Sequence, residues 1–129
     1  MQVELVSPER ILYSGEARMV LARAAGGDIA FLPGHAPFLG TLQIGLVTIR
    51  SGDGDKVAAV HGGFVEVRDD KVTILSDVAE LSDQIDLERA RRAKEEAEAK
   101  LRAEHDGETE AALRRAHARL EAAGGLNPG

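Results

Sequence analysis

Apolar and polar positions alternate in short runs along the first two thirds of the chain. These runs, among them VELVS, ARMVLA, LVTIR and KVTILSD, are rich in Val and Ile and are bounded by Gly, Pro, Asp or Ser, a pattern typical of β-strands. The glycine-rich stretches at 26–28 and 52–54 are typical turns, because glycine adopts positive φ at little steric cost. With no helical period between the runs, the pattern predicts an antiparallel sandwich or barrel over residues 1–84.

The period changes at Asp86, where apolar residues begin to recur every three or four positions, as on one face of a helix. They are Leu87, Ala90, Ala93, Ala97 and Leu101, then, after the HDGE break, Leu113, Ala116, Leu120 and Ala123. This predicts an antiparallel two-helix hairpin over residues 85–129, with 124–129 as a frayed end. Because alanine buries little apolar surface, we expect the hairpin to be held weakly and to be a movable element.

Composition narrows the class of protein. The chain has 129 residues, no cysteine, a net charge of −6 and 3% aromatic residues. Disulfides and thiolate metal sites are therefore excluded, and nucleic acid is an unfavourable partner. The chain has no apolar stretch near the roughly 20 residues that span a bilayer, and MQVELVSPER lacks the layout of a signal peptide. We expect a soluble cytoplasmic protein with no direct membrane insertion.

Catalytic motifs are absent from the sequence. The four histidines lack metal-binding spacing, and neither a nucleophile elbow nor a phosphate-binding P-loop is present. We therefore expect no catalytic residue and no metal site. His35 lies between Pro33 and Pro37 on a stiff loop, which favours a rigidly presented contact residue over a general base in a small hydrolase.

The segment IDLERA (85–90) opens the first predicted helix. Asp86 suits the N-cap, where a carboxylate accepts hydrogen bonds from free backbone N–H groups, and Arg89 suits a helix surface. The same two side chains could instead hold a ligand. The local sequence leaves both interpretations open.

Three segments together resemble the epsilon subunit of bacterial F-type ATP synthase. They are GGDIAFLPGHAPFLGTLQIGLVTI, VHGGFVEVRDDKVTILSDVAE and IDLERARRAKEEAEAKL. The resemblance runs from about Val3 to Leu120 and implies an N-terminal antiparallel β-sandwich followed by a helical hairpin. It implies a non-catalytic rotor subunit of the central stalk, on the cytoplasmic face of the bacterial inner membrane.

The resemblance also implies partners. The sandwich is expected to bind a gamma subunit and the ring of c subunits, with contacts at the Gly27-Asp28 turn and the loop from His35 to Gly40. The hairpin, when extended along gamma, is expected to reach the alpha/beta catalytic ring and to restrain ATP hydrolysis. Arg114, Arg115 and Arg119 on the second helix would then contact a beta subunit, although they also suit a solvated helix face.

Some members of this family bind ATP, without hydrolysing it, through an I/L-D-x-x-R-A motif that IDLERA matches. The resemblance extends this regulatory site to Glu80, Asp86, Arg89, Ala90, Arg115 and Arg119. One arginine of the ATP-binding members is replaced here by Glu96, which reverses the charge beside the phosphates. A stand-alone ATP-sensing module that belongs to no rotor is the alternative function.

Overall fold

The computed structural model describes residues 1–103 and 107–124. The strands are β1 (Gln2–Val6), β2 (Ile11–Glu16), β3 (Met19–Ala24), β4 (Gly27–Phe31), β5 (Phe38–Ser51), β6 (Gly54–Arg68), β7 (Lys71–Leu75) and β8 (Ala79–Leu81). A short 3-10 helix at Ser82–Gln84 leads to α1 (Leu87–Ala103), and α2 spans Gly107–Ala122. The predicted end beyond Gly124 and residues 104–106, which include the first half of the predicted HDGE break, lie outside the described residues. Gly107 and Glu108, the second half of that break, begin α2.

The strands form one sheet in the order β2-β1-β7-β6-β5-β3-β4, and β8 pairs with the first half of β6. The pairs are antiparallel, as predicted, except that β1 runs parallel to β7. A parallel pair is allowed here because β1 and β7 are far apart in sequence, so no tight turn imposes a direction. The antiparallel prediction was wrong for this pair alone.

One hydrophobic core lies between the layers of the folded sheet. Its largest fully buried side chains come from strands across the whole sheet: Val3, Leu5, Val20, Phe31, Val47, Ile49, Val60, Val65, Val72 and Ile74. Since these side chains form one cluster, the continuous sheet must fold over itself as a sandwich.

A glycine pair bends β6 between the segment that pairs with β8 and the segment that pairs with β7. Gly62 and Gly63 have φ of +88° and +133°, values that favour glycine. A Cβ at Gly63 would lie 2.1 Å from the carbonyl oxygen of Leu75, so a side chain is excluded there. The Ser76 hydroxyl donates a 2.6 Å hydrogen bond to the Gly62 carbonyl and fixes the bend. The preceding half of β6 pairs with β8 and the following half with β7.

The hairpin is docked on the sheet through α2. Ala118 and Ala122 pack against Ala59 of β6, surrounded by the half-buried side chains of Ile44, Leu46, Val57 and Ile85. α1 packs mainly against α2. Of the leucines on the predicted apolar faces, only Leu120 is buried, and the other buried positions of those faces are alanines. The contact between hairpin and sheet is therefore made largely by small side chains.

Candidate functional site

The N-terminus of α1 is capped by Asp86. Its Oδ1 accepts a 3.1 Å hydrogen bond from the backbone N–H of Arg89, and its carbonyl accepts one of 3.0 Å from Ala90. This confirms the capping interpretation of IDLERA. The Asp86 and Arg89 side chains remain exposed, so capping does not prevent either from contacting a ligand.

A cavity of about 390 Å³ opens where the hairpin leaves the sandwich. Its lining combines β8, the segment 84–86 that joins the sheet to α1 (the hinge), and both helices. The lining residues are Glu80, Gln84, Ile85, Asp86, Arg89, Ala90, Ala93 and Arg119. The structure thus brings together every predicted nucleotide residue except Arg115. The volume lies in the range of small-molecule sites.

An ion pair connects α2 to the sheet at the wall of this cavity. Arg119 Nε donates a 2.6 Å hydrogen bond to Glu80 Oε1, and each side chain is about 30% exposed or less. Charge-assisted hydrogen bonds of this length are among the stronger polar contacts in proteins. The pair therefore fixes the position of both residues relative to the cavity.

Arg115 lies in an adjoining cavity of about 370 Å³. There its guanidinium makes a 2.7 Å hydrogen bond to Glu108 Oε1, and Glu96 and Lys100 line the same space. Ala93 and Arg119 line both cavities, so the two adjoin. Glu96 accordingly places a negative charge beside the arginines, as its position in the sequence implied.

His61 of β6 was not among the predicted site residues, yet it lies against the Glu80–Arg119 pair. Its side chain is 2% exposed, and its Nε2 is 3.4 Å from Glu80 Oε1. Neither ring nitrogen has a well-aligned hydrogen-bond partner within the described part of the chain. Burial lowers the pKa of His61 below its usual 6.5, Arg119 lowers it further, and Glu80 opposes them. The strand alternation in KVAAVHGG, which places His61 on the face of Ala59, was the signal that could have identified it.

The residues predicted to contact gamma or the c-ring lie outside this site. At the start of β4, just after the predicted turn, Gly27 has a φ of +120°, and Asp28 Oδ1 lies 3.5 Å from Nε of its cross-strand partner Arg23. Both side chains of that pair are exposed. Asp28 thus has an internal ion partner across the turn.

The loop from His35 to Gly40 is packed and anchored. The His35 ring makes an edge contact with Phe31 at 5.1 Å, and the backbone N–H of Gly34 donates to Asp70 Oδ1 at 2.9 Å. A Cβ at Gly40 would lie 2.8 Å from the Phe38 ring, so a side chain there would require that ring to move. The segment is thus held by contacts with Phe31 and, through Gly34, with Asp70, and its residues 38–40 form the start of β5.

Within residues 1–103 and 107–124, no group of three His, Cys, Asp or Glu side chains could hold a metal ion. Over the same residues, no helix has the length and hydrophobicity needed to cross a bilayer.

Two family models match consecutive parts of the chain. The beta-sandwich domain of the ATP synthase, Delta/Epsilon chain matches residues 1–82, and its long alpha-helix domain matches residues 83–124. The chain belongs to the ATP synthase delta/epsilon chain family. This confirms both the resemblance inferred from the sequence and the fold class, a β-sandwich followed by a helical hairpin.

Similar proteins match this chain over most of their own length. The ATP synthase epsilon chain of Streptomyces griseus is 50% identical over 123 residues, which cover 95% of this chain and 94% of that one. That of Moorella thermoacetica is 45% identical over 131 residues, which cover 98% of each. A chain in the structure of Euglena gracilis mitochondrial ATP synthase, OSCP/F1/c-ring, is 26% identical with a TM-score of 0.79, covering 94% of this chain and 79% of that one.

Proposed function

We propose that this chain is a non-catalytic rotor subunit of the central stalk of F-type ATP synthase, which links gamma to the c-ring in proton-driven ATP synthesis. Relatives named ATP synthase epsilon chain match it over nearly its whole length. The Euglena assembly that contains a similar chain also contains F1 and a c-ring. In a bacterium this subunit would be peripheral, on the cytoplasmic face of the inner membrane.

An apolar patch on the outer face of the sandwich supports a protein partner. Leu39 and Phe64 are 73% and 55% exposed, and Leu75, which pairs with Phe64 across β6 and β7, is 49% exposed. Cross-strand partners point to the same side of a sheet, so Phe64 and Leu75 form a continuous surface. Contiguous exposed apolar surface of this kind marks interaction sites, and we assign it to gamma.

The loops at Asp28 and His35 are assigned to the c-ring or gamma. Asp28 would exchange its exposed internal partner Arg23 for a basic residue of a partner loop, at little net change in charge pairing. His35 and Gly40 would act by shape, because the loop that holds them is packed against Phe31 and Phe38.

The hairpin is assigned a regulatory role. In the docked conformation Arg119 is held by Glu80 and Arg115 by Glu108, whereas Arg114 is exposed. Release of α2 from the sheet would break the Glu80–Arg119 contact and free Arg119 for an acidic segment of a beta subunit. Extended along gamma, the hairpin would then restrain ATP hydrolysis.

The cavity beneath the hairpin is assigned to ATP as a regulatory ligand that is not hydrolysed. Glu80 and backbone groups suit the donor and acceptor edge of adenine, while Arg89 and Arg119 suit the triphosphate. The observation that carries this assignment is that β8, the hinge, α1 and α2 all line one cavity when the hairpin is docked. ATP would therefore stabilise the docked state, and the stabilisation would grow with the logarithm of the ATP concentration once that exceeds the dissociation constant.

The charges also suggest that binding is weak. Acidic and basic side chains are equally numerous in the linings of the two adjoining cavities. Since Glu96 and Glu108 stand beside the arginines, a polyanionic triphosphate gains less here than in a purely basic site.

Calorimetric titration of ATP into the isolated full-length chain tests the assignment. We expect saturable binding that is lost in Arg89→Ala and retained in Arg91→Ala, which removes an exposed arginine of α1 that does not line the cavity. No saturable heat at millimolar ATP, or equal losses in the two variants, would refute an ATP site at this position.

A further inference from the structure

A titratable side chain is buried at the interface on which the hairpin docks. His61 pairs with Ile44 of β5 and lies on the same face of β6 as Ala59, which packs against Ala118 of α2. With 2% of its side chain exposed, the ring is shielded from water while α2 is docked. Neither the rotor contacts nor the nucleotide contacts proposed above use it.

Charged groups surround His61 from several elements. Glu80 of β8 lies 3.4 Å from the ring, and the positive charges of Arg119 and Arg115 act on it from α2. Asp77, between β7 and β8, lines a cavity of about 420 Å³ that His61 also borders. Further out, Arg10 of the β1–β2 loop is hydrogen-bonded to Gln84 in the hinge at 2.9 Å.

A proton on His61 would be poorly compensated in the docked state. Glu80 is the acidic partner within reach, and its Oε1 already accepts the 2.6 Å hydrogen bond from Arg119. The imidazolium and the guanidinium would then share one carboxylate oxygen, in a place that water does not reach. Burial and Arg119 accordingly lower the pKa of His61, and they outweigh the opposing effect of Glu80.

Undocking removes the three causes that lower this pKa, which are burial and the positive charges of Arg119 and Arg115. When α2 leaves the sheet, the ring meets water, and Arg119 and Arg115 move away while Glu80, on β8, remains. The undocked state therefore binds the proton more readily than the docked state. By linkage, the docking equilibrium is fully favourable above pH 6.5, the usual pKa of histidine, and weakens as the pH falls below it.

We propose that His61 makes hairpin docking sensitive to pH, so that protonation of its ring favours release of α2 from the sandwich. One proton is involved, so the docking equilibrium changes by at most about tenfold per pH unit. Docking itself needs no nucleotide. ATP binding itself rests on the proposed function. Where ATP binds, it favours docking and the proton favours release, because both act at the contact between Glu80 and Arg119.

Energy transfer between two dyes on the full-length chain tests the proposal. The chain has no cysteine, so Asp53→Cys in the β5–β6 turn and Glu121→Cys on α2 give a unique labelling pair. Without nucleotide, we expect transfer to be constant from pH 8 to 7 and to fall between pH 6.5 and 5.5. His61→Gln should remove this fall, and His117→Gln, on α2 itself, should retain it. A fall that persists in His61→Gln, or no fall in the parent chain, would overturn the proposal.

A second measurement avoids any defect in the folding of the variant. In an NMR titration of the imidazole signals of the unaltered chain, His61 should titrate below pH 6.5, and in Arg119→Ala it should titrate at a higher pH. Titration of His61 at or above 6.5 in the unaltered chain would refute the proposal.

Repeating the energy-transfer experiment with ATP separates the two ideas. If ATP leaves transfer unchanged at every pH but the fall below pH 6.5 remains, the nucleotide site is refuted and the role of His61 stands. If ATP raises transfer at low pH but the same fall occurs with His61→Gln, the role of His61 is refuted and the nucleotide site stands.

Discussion

Arg119 on α2 and Glu80 on β8 are 39 residues apart in sequence and are joined by a 2.6 Å hydrogen bond from Nε to Oε1. The bond connects the hairpin to the sandwich, and both partners line the cavity assigned to the nucleotide. Docking of the hairpin and formation of the cavity therefore depend on the same contact. Any ligand or substitution that alters one of them alters the other.

Replacing Arg119 with Ala should weaken docking. We expect a loss of about 1 kcal/mol, or about a fivefold shift of the docking equilibrium toward the released hairpin, because the hydrogen bond is charged but partly screened by water. Energy transfer between the dye positions above, at pH 8, measures the shift. Arg114→Ala, which removes an exposed arginine of the same helix, should leave transfer unchanged, and equal shifts in both variants would contradict a specific role for Arg119.

Ala118→Glu should release the hairpin while leaving the sandwich folded. Ala118 is buried against Ala59 and has no room for a carboxylate, whereas the main core is built from sandwich residues alone. We expect reduced protection of α2 amides in hydrogen exchange, with strand amides unchanged. Ala103→Glu, at an exposed position of α1, is the matched control. Loss of protection throughout the strands would instead mean that hairpin and sandwich form one cooperative unit.

The fold was largely predictable because the spacing of apolar residues and the residues that form turns are local features of the sequence. Alternation in runs such as KVTIL predicted the sandwich, and the three- to four-residue spacing after Asp86 predicted the hairpin. The alanine faces predicted that the hairpin is held weakly. Alternation assigns a residue to a face but not a strand to a neighbour. The parallel pairing of β1 with β7 and the bend at Gly63 therefore could not be predicted from the sequence.

The site was predictable only in part. The Asp86 cap follows from the local sequence, but the approach of Arg119 to Glu80 depends on docking of a helix that is distant in the chain. The family resemblance assigned both residues to one nucleotide site, but neither it nor the residues themselves predicted their ion pair. His61 was missed because strand alternation assigns it to the face of Ala59 but does not show that a distant helix packs on that face.

Glu96→Arg should strengthen ATP binding. Glu96 lines the cavity next to the one assigned to the nucleotide, together with Arg115 and Arg119. Reversing its charge therefore adds a phosphate ligand and removes a group that repels phosphate. We expect a gain of about tenfold in affinity, equivalent to about 1.4 kcal/mol. The control is Glu95→Arg, which makes the same change in net charge at an exposed neighbouring position. An equal gain in the control would indicate a general electrostatic effect and would argue against phosphates near Glu96.

Phe64→Glu should weaken binding to gamma. Phe64 is 55% exposed and pairs with the exposed Leu75 on the outer face of the sheet, so its substitution would place a charge inside the proposed interface without disturbing the core. Co-purification of gamma with the tagged chain should fall at least about tenfold, since a hot-spot loss of about 2 kcal/mol has that effect.

Lys56→Glu, at the other end of β6, introduces the same acidic group away from the patch and should bind gamma normally. If both variants retain gamma, the apolar face is not the interface and the loops at Asp28 and His35 become the alternative. The far-UV circular dichroism spectrum of each variant must match that of the parent chain, because only then does the loss of gamma report on the surface of a folded sandwich.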